Sequence, residues 1–331
     1  MIVVTGGTGF IGSAIIQELN QRGVSDILVV DDLDHEEKKN NLAILKYVEL
    51  HDKSDFLKAI LSRALTAPIT AIFHMGACSS TTETNQDFLT ENNFEYTRHL
   101  AEFSLETGTR FIYASSAATY GDGAHGYQDD ETRLDPLTPL NLYGDSKHRF
   151  DLWARDKKAF DRIVGLKYFN VYGPNEYHKG DMQSMVRKGF FQIQRTGKMR
   201  LFKSYKPEYT DGGQERDFLY IKDAVAMTLF FLDRPEIGGL FNVGSGTARN
   251  WNHLAHALFS AMGKEPDIEY IEMPTSIRDQ YQYHTKAQMG KIQKAGYDAP
   301  ATSLEDGIQD YVQNYLLPKK RLGGIKLRST G

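Results

Sequence analysis

A single cysteine, Cys78, stands among 331 residues. That excludes an intrachain disulfide and any metal site built from several thiolates, and Cys78 reads as a small apolar residue beside a strand. No run of eighteen consecutive apolar residues occurs, so no membrane-spanning helix is expected. The chain starts with no charged leader, apolar core and small-residue cleavage site in series, which points to a cytoplasmic protein. Neither charge sign dominates: the formal net charge is −4, and no basic face stands out to attract nucleic acid or an anionic membrane. The ten histidines form no HExxH, and His253 with His256 has no acidic ligand nearby, so no metal is expected. A GxSxG nucleophile elbow is missing too. Asp129, Asp130 and Glu131 fall in a loop and read as solvated, not as a glycosidase-type carboxylate pair.

What is present is the composition of a globular protein, 40% apolar and 25% charged, with ample material for a core. Short β-branched runs recur at Ile2 to Thr5, Ile27 to Val30, Tyr47 to Leu50, Ala71 to His74, Phe111 to Ser115 and Ile163 to Tyr168. Between them lie stretches with helical spacing, such as Phe10, Ala14, Ile15, Leu19 and Phe56, Leu57, Ile60, Leu61. This alternation predicts an α/β fold whose doubly wound parallel sheet is covered on both faces. Past residue 168 the rhythm loosens into Gly and Pro punctuation, at Tyr172-Gly173-Pro174, Tyr205-Lys206-Pro207 and Asp211-Gly212-Gly213. A smaller C-terminal α/β lobe that holds the substrate is expected there. The division is drawn at residues 1–169 with 218–243 for the first unit and 170–217 with 244–317 for the second. Residues 318–331, which carry Lys319, Lys320, Arg321, Lys326 and Arg328, read as a solvated tail.

Thr5-Gly6-Gly7-Thr8-Gly9-Phe10-Ile11-Gly12 follows the first apolar strand and opens a helix. Glycines there allow a tight turn and a close backbone approach to a pyrophosphate, and the helix start supplies N–H groups and partial positive charge. Asp31 closes the second strand nineteen residues beyond Gly12, where a carboxylate can accept from an adenosine ribose. The pattern is that of a Rossmann dinucleotide site. Asp31 alone favours NAD, whereas His35, Lys38, Lys39 and Lys53 could hold the 2′-phosphate of NADP or simply form a solvated charged loop. Further on, Tyr143 and Lys147 share one helix face at i and i+4. A phenol with pKa near 10 is a poor base until a neighbouring ammonium favours its phenolate. Tyr113 to Gly121 is a strand whose end breaks into a Ser-rich turn, and Ser116 there can reach a substrate hydroxyl.

With GxxGxxG near the start and YxxxK in the middle, the chain resembles the extended short-chain dehydrogenase/reductase superfamily over nearly its whole length. Within it, His74 to Glu83, Tyr168 to Pro174 and His178-Lys179-Gly180 resemble the ADP-glyceromanno-heptose 6-epimerase family, which supplies activated heptose for lipopolysaccharide core. The 4,6-dehydratases share the outline, but Ala118-Thr119-Tyr120-Gly121 lacks the carboxylates they use. The resemblance implies inversion of ADP-heptose at C6″ by transient oxidation on a tightly bound NADP, with NAD second, in a homo-oligomer for which a pentamer is the candidate. It implies Tyr143 and Lys179 as the two acid/base groups, Ser116 on the substrate, and Lys147 orienting the cofactor ribose and lowering the phenol's pKa. For the cofactor it implies Gly6, Gly9, Phe10, Ile11, Gly12, Asp31, Asp32, Lys38, Lys53, Met75, Gly76, Ala77, Cys78, Ser79, Asn92, Lys147, Val171 and Lys179. For the sugar nucleotide it implies Ser116, Asn170, Asp181, Lys188, Phe202, Lys203, Ser204, Tyr205, Arg216 and Tyr281. Arg216 has a physical argument besides, because a guanidinium fork suits a diphosphate; an ion pair with a neighbouring carboxylate is the other reading. The chain departs from the family where Asn175 replaces a common Arg, at Asp181 and Lys188, and in a longer loop over residues 205–213. A UDP-hexose 4-epimerase and a noncatalytic dinucleotide sensor are the competing readings, and the intact Ser116, Tyr143 and Lys147 speak against the sensor.

Overall fold

Strands built from β-branched and aliphatic residues can be buried on both faces only if helices cover both, and seven of them form the central sheet here. The computed structural model describes residues 1–33, 36–65, 67–278 and 281–324; His35, Lys326 and Arg328 lie outside the described residues. The strands are β1 (Ile2–Thr5), β2 (Ile27–Asp31), β3 (Glu49–Asp52), β4 (Ala71–His74), β5 (Arg110–Ser116) and β6 (Ile163–Tyr168). Among the later strands β7 (Asn170–Tyr172), β8 (Met199–Phe202), β9 (Glu215–Tyr220), β10 (Gly239–Val243), β11 (Ala248–Asn250) and β12 (Ile268–Ile271), only β10 joins that sheet. Its order is β10-β6-β5-β4-β1-β2-β3, and every pairing is parallel. Successive residues point to opposite faces. Val4, Val29 and Phe73 enter one core with the helices Phe10–Gln21 and Ile221–Phe230. Val3, Leu28, Val30 and Ile72 enter the other, covered by helices Lys53–Leu61, Tyr96–Thr107 and Leu142–Asp156.

The chain lays down β1 to β3 outward in one direction and then returns to place β4 on the other side of β1. At that reversal a crevice opens beyond the carboxyl ends of β1 and β4, which is where α/β sheets bind ligands. The looser second half forms two small sheets, β11-β9-β7 and β12-β8, beside helices Met185–Thr196, Trp251–Ala261 and Leu304–Tyr311.

Three sequence expectations are corrected here. The third strand begins at Glu49, not Tyr47. Asp129 and Glu131 are not free in solvent: Asp129 is buried and accepts the Asn242 N–H at 2.8 Å, while Glu131 accepts the Leu240 N–H at 2.7 Å and pairs with Lys291 at 2.5 Å. β10 is an edge strand, and these carboxylates satisfy its outward amides. The expected solvated tail is also docked in part, since Arg321 and Leu322 are each 6% exposed while Lys319, Gly323 and Gly324 are exposed.

Candidate active site

At the carboxyl end of β1 the chain turns through Gly6, whose φ is +64°. A Cβ there would stand 2.6 Å from the Gly76 nitrogen beyond β4, so only glycine lets the two strand ends come this close. A Cβ at Gly12 would collide with the Gly6 carbonyl, and the helix therefore seats directly on the turn. Its N-cap, Gly9, brings no side-chain acceptor to the first-turn N–H groups, which suits an anion. At the end of β2, buried Asp31 accepts from the Thr8 N–H at 2.9 Å, the Thr8 hydroxyl at 2.5 Å and the Asp32 N–H at 2.8 Å. Lys38 stands 3.6 Å from Asp31, and Lys53 stands 3.3 Å from Asp32 while donating to Asn92 at 3.1 Å. Lys39 pairs with Glu36 instead, at 2.7 Å.

These groups border two adjoining clefts of about 520 and 200 Å³. Asp32, Lys53 and Asn92 line the smaller one, and Asp31 and Lys38 line both. The larger is bordered by Gly6, Gly9 to Gly12, Met75 to Ser79, Ser116, Tyr143, Lys147, Val171 and Lys179. Every residue expected to hold the cofactor thus borders one cleft or the other. A cradle that Cβ atoms would fill, an uncapped helix start and a carboxylate with two ammonium groups beyond it together fit a dinucleotide. A separate cleft of about 550 Å³, between Gly244 and Leu304, shares no lining residue with these, and Arg249 in its wall is paired with Glu305.

The helix Leu142–Asp156 starts at Asn141, whose side chain accepts the Gly144 N–H at 2.8 Å. A Cβ on Gly144 would stand 2.9 Å from the Ala118 carbonyl oxygen, so this helix packs tightly on the turn that follows β5. That packing puts Tyr143 on the same cleft as Ser116, the last residue of β5. Burial pushes the phenol's pKa up, and the nearby Ser116 hydroxyl opposes it. Lys147, one turn on, is pulled down to about 8 by burial, with Asp151 opposing. The expected lowering of the phenol by Lys147 is not seen: the cost of taking the phenolate out of water sets the direction of the shift.

Lys179 enters the larger cleft from the loop after β7, its ammonium 5.4 Å from the Phe10 ring centroid. Burial lowers its pKa, opposed by Glu176. Glu176 is fully buried and accepts the Ser184 N–H at 2.5 Å and the Ser184 hydroxyl at 2.7 Å. His178 is held down to about 4, first by burial and then by the charges of Lys38 and Lys179, so its imidazole is neutral at pH 7.

Several residues of this site escape a reading of motifs. Buried Asn93 grips the Cys78 N–H at 2.8 Å, the Cys78 carbonyl at 3.0 Å and the Ser146 hydroxyl at 3.0 Å, tying the β4 loop to the Tyr143 helix. It belongs to a π-helical turn, Thr90–Glu95, that also carries Asn92. Two consecutive asparagines inside a helix, where they are poor formers, are the one local signal. Cys78, read by itself as a small packing residue and by the resemblance as part of the cofactor shell, is half-buried and lines both clefts.

Of the residues expected to hold the sugar nucleotide, Ser116 borders the larger cleft and the others stand outside its lining. Arg216 is buried against rings, not a carboxylate: its guanidinium lies 5.1 Å from the Tyr281 ring and 5.7 Å from Trp251, and it donates to the Glu215 carbonyl at 2.8 Å. Phe202 meets Tyr281 edge-on at 6.3 Å. Next to Tyr281, the Gln282 amide donates to the Gly121 carbonyl at 2.6 Å, which joins this cluster to the turn after Ser116. Lys203 pairs with Glu272 at 2.8 Å and the Tyr205 hydroxyl donates to the same carboxylate, while the Ser204 N–H donates to Asp211 at 2.8 Å. Lys188 donates to the Asp181 carbonyl at 2.6 Å, and Asn170 is exposed at the start of β7.

Residues 2–244 match the NAD dependent epimerase/dehydratase family, and the chain belongs to it. Among its relatives, the ADP-L-glycero-D-manno-heptose-6-epimerase of Nitratidesulfovibrio vulgaris is 53% identical over 316 residues, covering 96% of this chain and 98% of that one. The crystal structure of ADP-L-glycero-D-manno-heptose-6-epimerase from Helicobacter pylori superposes with a TM-score of 0.79 at 29% identity, covering 94% of each chain. UDP-glucuronic acid 4-epimerase from Bacillus cereus, solved with UDP-glucuronic acid and NAD, superposes with a TM-score of 0.73 at 25% identity over 94% of this chain and 98% of that one. The chain is an epimerase, an isomerase that works with a nicotinamide dinucleotide.

Proposed function

We propose that this chain interconverts ADP-D-glycero-D-manno-heptose and ADP-L-glycero-D-manno-heptose by inversion at C6″, with NADP held throughout. Residues 1–169 and 218–243 serve the dinucleotide in this reading, and 170–217 with 244–317 serve the sugar nucleotide. The observation that carries it is the pair Tyr143 and Lys179 on one cleft with Ser116 and the glycine turn. Their surroundings push the phenol up and the ammonium down. Two titratable groups shifted apart in this way are suited to opposite halves of an acid/base exchange.

A bound nicotinamide supplies reversible acceptance of one hydride. In one direction Lys179 Nζ takes the proton of the C6″ hydroxyl as the alcohol becomes a ketone. Once the sugar has presented its other face, Tyr143 Oη would give a proton to the C6″ oxygen; the reverse reaction exchanges the two roles. Ser116 Oγ holds the substrate oxygen beside Tyr143, and Lys147 orients the cofactor ribose. Lys38 and Lys53, beside Asp31 and Asp32, are the cations that support NADP over NAD.

Purified protein incubated with ADP-D-glycero-D-manno-heptose and, separately, with UDP-galactose should invert only the heptose, as followed by NMR. Turnover of UDP-galactose alone would sink the assignment. Tyr143→Phe is expected to lower kcat by about 100-fold or more while the dinucleotide stays bound; full activity would refute the acid/base role.

A further inference from the structure

Residues Lys320–Leu322 lie far along the chain from the Lys179 loop, yet they pack against it. The Arg321 guanidinium stacks on the Tyr177 ring, 5.1 Å from its centroid, and donates to the Asn41 side-chain oxygen. The Asn41 amide in turn donates to the Thr8 carbonyl at 3.0 Å and to the Asn175 carbonyl at 3.2 Å, and it stands 3.4 Å from His178 Nδ1. The Leu322 N–H donates to Asn175 Oδ1 at 3.0 Å, the Asn175 amide donates to Ser13 Oγ at 3.0 Å, and the Tyr177 hydroxyl donates to the Lys320 carbonyl at 2.7 Å. Asn175, the residue that departs from the family pattern, has a φ of +78° and is buried. Asparagine is among the few side chains that take this conformation readily, and here both ends of its amide are used.

Three consecutive residues therefore hold two parts of the site at once. One is the loop that ends in Lys179, and the other is the glycine turn, where Thr8 is also gripped by Asp31 through two hydrogen bonds. Neither Asn41 nor Arg321 lines the two clefts of the site. Taking the guanidinium away would leave the buried Asn41 oxygen without this donor and would release the loop from the turn.

We propose that Arg321 is a positioning residue for Lys179, locking the loop Asn175–Lys179 onto the glycine turn through Asn41 and Tyr177 and thereby slowing escape of the dinucleotide held by that turn. The proposal rests on the reading of Lys179 as a proton-transfer group.

The test uses the full chain loaded with NADP, comparing Arg321→Ala, Arg321→Lys, Lys179→Ala and the double variant Arg321→Ala/Lys179→Ala. A displacement of about 1 Å in a catalytic group lowers turnover on the order of 100-fold, so Arg321→Ala should lose kcat on that scale with KM for ADP-heptose little changed. Arg321→Lys should recover part of the loss, because an ammonium keeps the charge but not the planar fork. It also carries the test if the alanine variant does not fold. The double variant should be no slower than Lys179→Ala, since Arg321 acts through that lysine. Release of bound NADPH into excess NADP, followed by its fluorescence, should be faster by about tenfold in Arg321→Ala. With an impaired Lys179→Ala, multiplied losses in the double variant or an unchanged release rate would overturn the positioning alone. A fully active Lys179→Ala would overturn the reading of Lys179 and the positioning with it.

Discussion

His178 and Lys179 are neighbours in sequence and meet burial with different consequences. Lys179 is nudged toward the neutral amine that proton transfer needs, while His178 is pressed so far down that it stays an uncharged hydrogen-bonding ring. Unfolded, that imidazole takes up its proton near pH 6.5; folded, it does so only near pH 4. Between those values the unfolded chain binds more protons, so stability falls as the pH drops from about 6.5 to about 4, by on the order of 3 kcal/mol for this residue. His178→Gln should remove that share of the acid sensitivity, leaving the part due to His74, which burial and the Lys147 charge also hold neutral. Urea unfolding at pH 7 and pH 5 measures it, and identical pH dependence in the two proteins would contradict it. At this scale the meeting of Ser116, Tyr143, Lys147 and Asp31 on one cleft was legible because each sits in a short stretch whose spacing has a chemical reason. Asn41 and Arg321 were not: 280 residues separate them, and nothing near either one signals the other.

Elements around the site are joined by a buried ion pair that no periodicity reveals. Lys167 on β6 and Asp151 on the helix Leu142–Asp156 are both fully buried and 2.7 Å apart. Asp151 also accepts the Tyr113 hydroxyl at 2.7 Å and the Ser115 hydroxyl at 2.8 Å from β5, and Lys167 donates to the Thr119 hydroxyl at 2.5 Å. Two strands, one helix and the turn after Ser116 thus converge on a single ion pair, whose carboxylate stands one turn beyond Lys147. Lys167→Met leaves that carboxylate buried and unpaired and should cost about 3–5 kcal/mol in chemical denaturation, whereas Lys167→Met with Asp151→Leu should recover most of it. A loss below about 1 kcal/mol for the single variant would show the pair to be dispensable. The strand itself was readable from Ile163, Val164 and Leu166, but a lysine in its middle points outward on any pattern argument. Only the three-dimensional partner explains its burial.

Over the whole molecule, the central sheet was legible because helix and strand alternate with different periods, and the second half was not because its strands are short or divided between small sheets. β7 and β11 have three residues each, and β8 and β12, though as long as β1 and β4, belong to two separate small sheets whose strands pair with partners distant in sequence. The two halves are also linked through the clefts proposed to hold the dinucleotide, whose walls come from the ends of β1, β2 and β4, the Tyr143 helix and the loop after β7. A ligand that binds only the folded chain should stabilise it by about 4 kcal/mol at a thousand times its Kd. NADP is expected to raise Tm more than NAD at equal concentration, and Lys38→Ala/Lys53→Ala should abolish the difference. Equal shifts from the two dinucleotides in the unaltered chain would remove the basis for preferring NADP. Among the described residues no helix is long and apolar enough to cross a membrane.

The sheet order bears on how the chain comes off the ribosome. β6 is buried along its whole length in the finished protein, with one edge covered by β5 and the other by β10. Translation delivers β5 before β6, but β10 emerges only after the residues between Tyr168 and Gly239 have been made, on the order of ten seconds later. Until then the nascent chain carries an apolar strand with one side unpaired, open to pairing with another chain. The susceptibility of this protein to aggregation is therefore set by translation speed across the stretch that builds β7, β8 and β9, and by any chaperone that shields β6 in the meantime.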